Sequence, residues 1–397
     1  MKRFKPSLPI ILMFFMMGTF SIGMTEFVVT GLLSQLSADL NVSIPKAGLL
    51  LSAYAIGVAL FGPLISLLML KVSIRNSLSM LMAVFVVSNL VVALSPNFTV
   101  LLLVRLISAT IHAPFFGITL VAAYQMSTPD RRTRSMASIN GGLTLAILLG
   151  VPFGSYLGGM LNWRLVFLLV SIIGAVVLVG LWVFTPDYQQ PHHSEIKREL
   201  RIFSNKNILL ICMVILVGHS GVFMVYSFIE PLIRGFTGFS VKEITIALFI
   251  CGCGAVTGNY LSGRVQPSML TKHLAFFFMT LTLLLTTSSV LIRFSYGTAF
   301  IFCFLFGIGM FGAVPLLNAK FVLVGKEAPT LAGTLASSVF NLANAIGAAI
   351  GAFVLDRGAG LGSLTWIAAC LTTMGLASTV LTYYKEDKHL FEEVEST

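Results

Sequence analysis

The chain has 397 residues, 57% of them hydrophobic and 10% charged, with a formal net charge of +10 and a mean hydropathy of +0.95. A soluble domain balances roughly 45 to 50% apolar residues against about 25% charged ones, so a soluble globular fold is excluded and a polytopic membrane protein is expected. The basic excess does not point to a nucleic-acid partner, because lysines and arginines sit singly or in twos to fours in short loops between apolar runs, as membrane topology places them.

Runs of about 20 apolar residues, enough to cross ~30 Å of hydrocarbon, recur along the whole chain. In the first half they are 8–31, 47–70, 78–94, 99–125, 135–159 and 165–184. In the second they are 207–229, 244–261, 274–292, 298–322, 331–353 and 364–384. The expected fold is an all-α membrane protein of twelve transmembrane helices in two six-helix pseudo-repeats. Lys2, Arg3 and Lys5 ahead of the first run imitate a secretory signal, but no small-residue cleavage site ends that run, so a retained first helix is expected. The longest polar stretch, with Pro186, Pro191, His192 and His193, divides the chain into an N-terminal bundle (1–184), a cytoplasmic linker (185–206) and a C-terminal bundle (207–397). Gly62-Pro-Leu-Ile-Ser66 recurs as Gly258-Asn-Tyr-Leu-Ser262, and Gly150 and Gly154 recur at nearly the same offset as Gly347 and Gly351. That is a weak internal repeat, and parallel halves of this kind hold substrate near the midplane between them.

Of the 25 lysines and arginines, all but seven fall on the side of the N-terminus. Lys46, Arg164, Arg234, Lys242, Arg293 and Arg357 lie opposite, and Arg105 lies in a span. The positive-inside rule then puts both termini in the cytoplasm.

Glu26 stands about 16 residues into the first run, ~24 Å from the cytoplasmic edge at 1.5 Å per residue. Thr19, Gly23 and Thr30 share its helix face, a small and polar stripe that looks into a cavity or onto a partner helix. In the fourth run Arg105 and His112 are nearly two turns apart and project from one face. Arg105 lies ~9 Å from the outer edge and His112 ~20 Å from it, so Glu26 and Arg105 reach similar depth. A carboxyl in low dielectric holds its proton more tightly, while a neighbouring arginine opposes that. A group balanced between the two exchanges protons near neutral pH. Three readings stay open for Glu26: proton coupling, a static ion pair locking the first and fourth helices, or an interfacial carboxylate. For His112 and His219 the choice is between a relay or solute hydrogen bond and a packed ring. Glu230, beside Pro231, reads as interfacial.

After the basic turn Thr128-Pro-Asp-Arg-Arg-Thr-Arg134, the fifth run carries Asn140 and Thr144 and then Gly150, Gly154 and Gly158 on one stripe, interrupted by Pro152. Small residues at every fourth position let a neighbouring helix approach at backbone distance. Asn341 and Asn344 share a face of the eleventh run with Gly347 and Gly351. Asn140, Thr144, Asn341 and Asn344 are either the lining of a cavity for a polar solute or interhelical glue, and Tyr54 and Tyr226 add aromatic surface. Cys212, Cys251, Cys253, Cys303 and Cys370 all fall inside apolar runs, which suits buried packing better than disulfides or metal.

Arg105-Leu-Ile-Ser-Ala-Thr-Ile-His-Ala-Pro-Phe-Phe-Gly117, the Thr128–Arg134 loop, Gly150-Val-Pro-Phe-Gly-Ser-Tyr-Leu-Gly-Gly159 and Asn162-Trp-Arg164 resemble the fourth and fifth transmembrane segments of major facilitator superfamily exporters. Within that superfamily they are most similar to drug:proton antiporters and to sugar, purine-nucleoside and chloramphenicol-type efflux proteins. The resemblance implies that the proline-glycine element is the antiporter signature, that Arg105 is the fourth-helix arginine linked to proton transfer, and that Glu26 holds an acidic position of the first helix. The chain departs from the family after the second helix, where Ser66 takes the place of the aspartate in the usual Gly-x-x-x-Asp-Arg run.

No phosphate-binding Gly-x-x-x-x-Gly-Lys-Ser/Thr loop, His-Glu-x-x-His, Cys-x-x-Cys or Gly-x-Ser-x-Gly motif occurs, so no enzyme, metal or cofactor is expected. The expectation is a monomeric, proton-coupled exporter of a small organic solute in the plasma membrane. A facilitative or importing carrier of the same fold and a non-transporting membrane sensor are the alternatives.

Overall fold

The computed structural model describes residues 7–69, 71–128, 131–187, 205–324 and 329–395. Among them there is no strand, and twelve helices have the length and apolarity to cross a membrane. They are α1 (Leu8–Gly31), α2 (Ile44–Met69), α3 (Ile74–Ala93), α4 (Phe98–Met126), α5 (Ser135–Met160), α6 (Trp163–Phe184), α7 (Lys206–Ser227), α8 (Val241–Ser262), α9 (Leu270–Phe294), α10 (Tyr296–Phe321), α11 (Leu335–Asp356) and α12 (Leu361–Leu381). Helices are the outcome because hydrocarbon offers no partner to a backbone N–H or C=O, so each span must satisfy its own. Most of the expected linker, 188–204, lies outside the described residues, as do Pro129 and Asp130 of the basic turn.

Three spans are interrupted where the sequence reading drew them as plain helices. Pro114 has no N–H for the carbonyl of Thr110, and α4 breaks there: the Thr110 N–H turns back to Ile107 O at 3.1 Å, and a new helix starts at His112. In α5 the carbonyl that Pro152 leaves without a donor belongs to Leu148, inside a π-helical turn, Ala146–Gly150, which widens the ladder ahead of the proline. A second π turn, Ile215–His219, interrupts α7 and ends on a histidine. Helix α7 also stops before the expected 229. It closes at Ser227, and a short helix, Ile229–Thr237, follows and ends on Gly238, whose φ of 71° is the left-handed C-terminal cap that glycine adopts without strain.

The chain forms two compact units, one holding α1 to α6 with Phe239–Phe249, the other holding α7, the short helix after it and Ile250 onward. Within the first, α3 packs along α6, α1 against α5 and α6, and α2 against α4. Within the second, α9 packs along α12 and α10, and α7 against α11 and α12. The pairings α1–α5 and α3–α6 thus return as α7–α11 and α9–α12, so the repeat that is faint in sequence is plain in helix contacts.

Glycines set these contacts. A Cβ on Gly150, Gly154 or Gly158 would overlap Met24 or Val28 of α1 or Leu32 just after it, respectively, so the α5 stripe follows α1 turn by turn. In the second unit a Cβ on Gly347 would overlap the Ser220 carbonyl of α7. The α2–α4 contact is equally close: a Cβ on Gly57 would sit 2.8 Å from Leu106 O. Its counterpart is α8–α10, where Cβ atoms on Gly254 and Gly258 would run into the carbonyls of Phe304 and Ile308. At the end of α8, Ser262 Oγ donates to Gly312 O at 2.5 Å. In the first copy Ser66 bonds within its own helix, to Gly62 O at 2.9 Å.

Gly254→Ala must push α8 and α10 apart, because backbone and not a movable side chain occupies the space. A loss of about 1 to 3 kcal/mol is expected. A Cβ on Gly117 meets nothing within 4 Å, so Gly117→Ala is expected to hold or gain by about 0.5 kcal/mol. Thermal unfolding of both variants in detergent checks this, and equal midpoints would contradict the packing described.

Candidate functional site

The centre of the first unit is a cluster built by α1, α2, α3 and α4. Helix α1 tightens from α to 3-10 geometry at Val28–Gly31, and the change of register leaves carbonyls at the junction short of ladder donors. Arg105, fully buried in α4, supplies them. Its Nη1 donates to Thr25 O at 2.5 Å and its Nη2 to Glu26 O at 3.5 Å. The guanidinium carbon lies 4.4 Å from the centroid of the Tyr54 ring of α2, a cation–π contact that Gly57 permits by letting α2 approach α4. Its Nε has no hydrogen-bond partner among the described residues.

The Glu26 carboxylate turns to His112 and not to the guanidinium. His112 Nδ1 lies 3.4 Å from Glu26 Oε2 and 3.3 Å from Tyr54 Oη, and its ring stacks on Phe116 with centroids 5.2 Å apart. The static Glu26–Arg105 pair weighed from sequence is therefore not what forms: Arg105 bonds the backbone of the acid-bearing helix, and the imidazole meets the acid. Glu26 is 6% and His112 7% exposed, so both are buried without being sealed.

Two residues of this cluster escaped the sequence reading. Thr25 Oγ1 donates to Asn89 Oδ1 of α3 at 2.7 Å, and Asn89 Nδ2 donates to Phe85 O at 2.9 Å. Asn89 so anchors the residue whose carbonyl Arg105 takes. The available signal was an amide alone in the apolar run 78–94.

Other sequence candidates lie elsewhere. Thr30 is buried in the 3-10 turn with its hydroxyl on Phe27 O at 2.7 Å. Asn140 is exposed on α5, and half-buried Thr144 bonds back to Asn140 O at 3.3 Å, so neither joins the acid cluster. Pro152 is buried among the packed glycines. In the second unit His219 sits edge-on to Phe340, centroids 5.0 Å apart, with Asn344 within hydrogen-bonding reach. Tyr226 is buried against Phe223 and Phe311. Asn341 Nδ2 donates to Ser337 O at 3.0 Å, and Asn341 Oδ1 is buried without a hydrogen-bond partner among the described residues. Glu230 lies outside the twelve candidate spans, in the short helix after α7; its side chain is fully buried and accepts from Arg234 Nε at 2.6 Å, one turn on. Lys320, inside the expected tenth run, is buried in the α10 helix, its Nζ on Thr271 Oγ1 at 2.8 Å.

At the end of the first unit where α1 gives way to α2, Asp39 Oδ2 accepts from Arg164 Nη1 and, at 2.9 Å, from Trp163 Nε1. Arg164 Nη2 reaches Ser95 O at 3.2 Å. The bonds from Arg164 and Trp163 hold the Asp39 carboxyl below the usual aspartate range.

Twelve spans in two equivalent sets of six, with an acid, an imidazole and an arginine gathered inside one set, define a multi-pass membrane transport protein. The chain belongs to the Major Facilitator Superfamily, which its residues 15–352 match. It is 40% identical over 395 residues, 98% of this chain and 97% of the relative, to the MFS-type transporter YfhI of Bacillus subtilis. It is 32% identical to the inner membrane transport protein YdhP of Escherichia coli K12, over 93% of this chain and 95% of the relative. A probable sugar efflux transporter of Helicobacter pylori G27 is 27% identical, over 91% and 92% of the two chains. Among solved structures, a bacterial homologue of the human lysosomal transporter Spinster, inward-facing and unoccupied, superposes with a TM-score of 0.67 at 16% identity, over 96% of each chain. At that identity the likeness concerns the fold alone.

Arg105→Lys keeps the charge but replaces a planar fork by a single point donor, which cannot serve two carbonyls and the Tyr54 face together. A lower unfolding temperature is expected, with Arg105→Lys closer to Arg105→Ala than to wild type. For Asp39, a folded-state pKa below the unfolded one adds stability above pH ~3.9 that is lost as pH falls through the lower, folded value. The pair is exposed, so its worth is under about 1 kcal/mol. Unfolding temperatures of wild type and Asp39→Asn are expected to differ at neutral pH and to converge below pH ~4.

Proposed function

We propose that the chain is a proton-coupled exporter of a small organic solute, working as a monomer in the plasma membrane with both termini cytoplasmic and needing neither cofactor nor nucleic acid. One observation carries this reading: a carboxyl buried at hydrocarbon depth whose nearest side-chain partner is a titratable imidazole, 3.4 Å away, and not a permanent cation. A carboxylate locked by arginine keeps its charge, whereas one facing an imidazole has somewhere to pass a proton. Residual exposure at Glu26 and His112 is consistent with access for water.

In the proposed cycle Glu26 is the proton carrier, His112 the relay, and Arg105 the fixed positive charge that sets the local field and holds α1 in place. Protonation of Glu26 alternates with solute occupancy, and release of the proton to the cytoplasm favours solute capture on that side. Thr30, Tyr54, Asn140 and Thr144 of the first unit and His219, Tyr226, Asn341 and Asn344 of the second are proposed to face the solute. The amide oxygen of Asn341, buried without a partner among the described residues, supports that role, since a solute hydroxyl or N–H would satisfy it. The efflux direction draws support from the relative described as a probable sugar efflux transporter.

The test uses everted membrane vesicles with an imposed acid interior and radiolabelled lactose, inosine and chloramphenicol as probes. Wild-type protein is expected to drive uptake of at least one probe only while the pH gradient stands. Glu26→Gln is expected to reduce gradient-driven uptake at least tenfold, which corresponds to about 1.4 kcal/mol, while leaving gradient-independent exchange. Unchanged gradient dependence in Glu26→Gln would sink the proposal.

A further inference from the structure

We infer that His112 changes tautomer with the charge of Glu26, so that its far nitrogen, Nε2, offers a hydrogen when Glu26 is protonated and a lone pair when Glu26 is ionised. The inference rests on the reading of Glu26 as the proton carrier.

The geometry that demands it is the sharing of one nitrogen. His112 Nδ1 lies within reach of both Glu26 Oε2, at 3.4 Å, and Tyr54 Oη, at 3.3 Å. A ring nitrogen either carries hydrogen and donates or is bare and accepts. An ionised carboxylate only accepts, so it requires Nδ1–H, and the neutral ring must then leave Nε2 bare. A protonated carboxyl has an O–H to place, and a bare Nδ1 is the acceptor beside it. The neutral ring then carries its hydrogen on Nε2. The competing state, an imidazolium against a carboxylate, keeps two more charges in a buried site beside Arg105, and desolvation opposes that. The titratable and charged groups around the ring are Glu26 from α1, Tyr54 from α2 and Arg105 from α4 itself. Asn89, the side chain that α3 brings to the cluster, does not titrate.

Passing between the two states moves a proton without moving heavy atoms. The O–H bond of Glu26 breaks and its proton goes to Nδ1, while the N–H bond at Nε2 breaks and that proton passes to water. One proton leaves, the carboxylate remains, and the ring is neutral before and after. The stack on Phe116 holds the ring plane, so the switch needs no ring flip. Nε2 has no hydrogen-bond partner among the described residues, and it is not among the sealed polar atoms, so water or a solute has access to it.

The consequence is a selection rule. A solute captured while Glu26 is ionised meets a bare nitrogen at His112 and must present a hydroxyl or N–H there. Polyols, nucleosides, amides and amines satisfy this, whereas a quaternary ammonium or a carboxylate does not.

The experiment is nitrogen-15 NMR of the full-length protein in lipid nanodiscs with labelled histidine, titrated in pH. The His112 resonances are identified by their absence in His112→Gln, and the Glu26 carboxyl is followed by its infrared band, absent in Glu26→Gln. Ring-nitrogen shifts distinguish the two neutral tautomers from each other and from imidazolium. The expected result is Nε2–H on the acidic side of the Glu26 transition and Nδ1–H on the alkaline side in wild type, with no such exchange in Glu26→Gln. A single tautomer throughout while the Glu26 band titrates, or an imidazolium on the acidic side, would overturn the inference and leave the proton-carrier reading standing. A Glu26 band that does not titrate would overturn both.

Discussion

A guanidinium buried at hydrocarbon depth is tolerable only when its hydrogens and charge are met by the protein. Arg105 meets that condition with two main-chain carbonyls and an aromatic face, and the consequences spread outward from there. The carbonyls are those left short by the tightening of α1, so the arginine completes a helix end and fixes where that helix stops. The aromatic ring comes from α2, which reaches it because Gly57 lets that helix approach α4. The acid next in sequence to the first carbonyl, Glu26, is thereby aimed past the arginine to His112. Backbone satisfaction and the chemistry of the cluster are one arrangement.

The break in α4 is the second half of that arrangement. With a continuous ladder, Arg105 and His112 would ride one rigid face. Pro114 removes a donor, the helix restarts at His112, and the two side chains serve different partners, one the backbone of α1 and the other its carboxylate. Asn89 secures the outcome from α3 by gripping Thr25. The second unit repeats the helix pairings and the glycine contacts, but the partner it sets beside its buried histidine, His219, is the Asn344 amide, and its buried carboxylate, Glu230, pairs with Arg234 instead. Similar packing thus sets an acid beside the histidine of one unit and an amide beside that of the other. Packing obeys small residues at fixed spacing, while chemistry depends on single positions free to differ.

Much of the architecture was legible in the residues because a bilayer enforces simple rules. Apolar length marked the spans to within a few residues, glycines at every fourth position marked where α5 lies on α1, and the Arg105–His112 face marked the cluster. Less legible were features that depend on what a neighbour supplies. Nothing local to Glu230 or Lys320 announces that each is buried with a partner. Asp39 carries no local signal, since its partners Trp163 and Arg164 come from the far end of the unit's chain.

Sequence alone determined that the chain crosses the membrane repeatedly as helices, that it does so in two related sets, and that Arg105 and His112 share one helix face with Arg105 near the depth of Glu26. These follow from hydropathy, rise per residue and helical periodicity, which are local quantities. Tertiary structure alone decided which of those three groups bond each other, because a span's depth is set along its own axis, whereas a hydrogen bond is set by the rotation and approach of two helices. That rotation depended on Gly57, Pro114, Asn89 and the 3-10 end of α1 acting together, and no single stretch of sequence contains them.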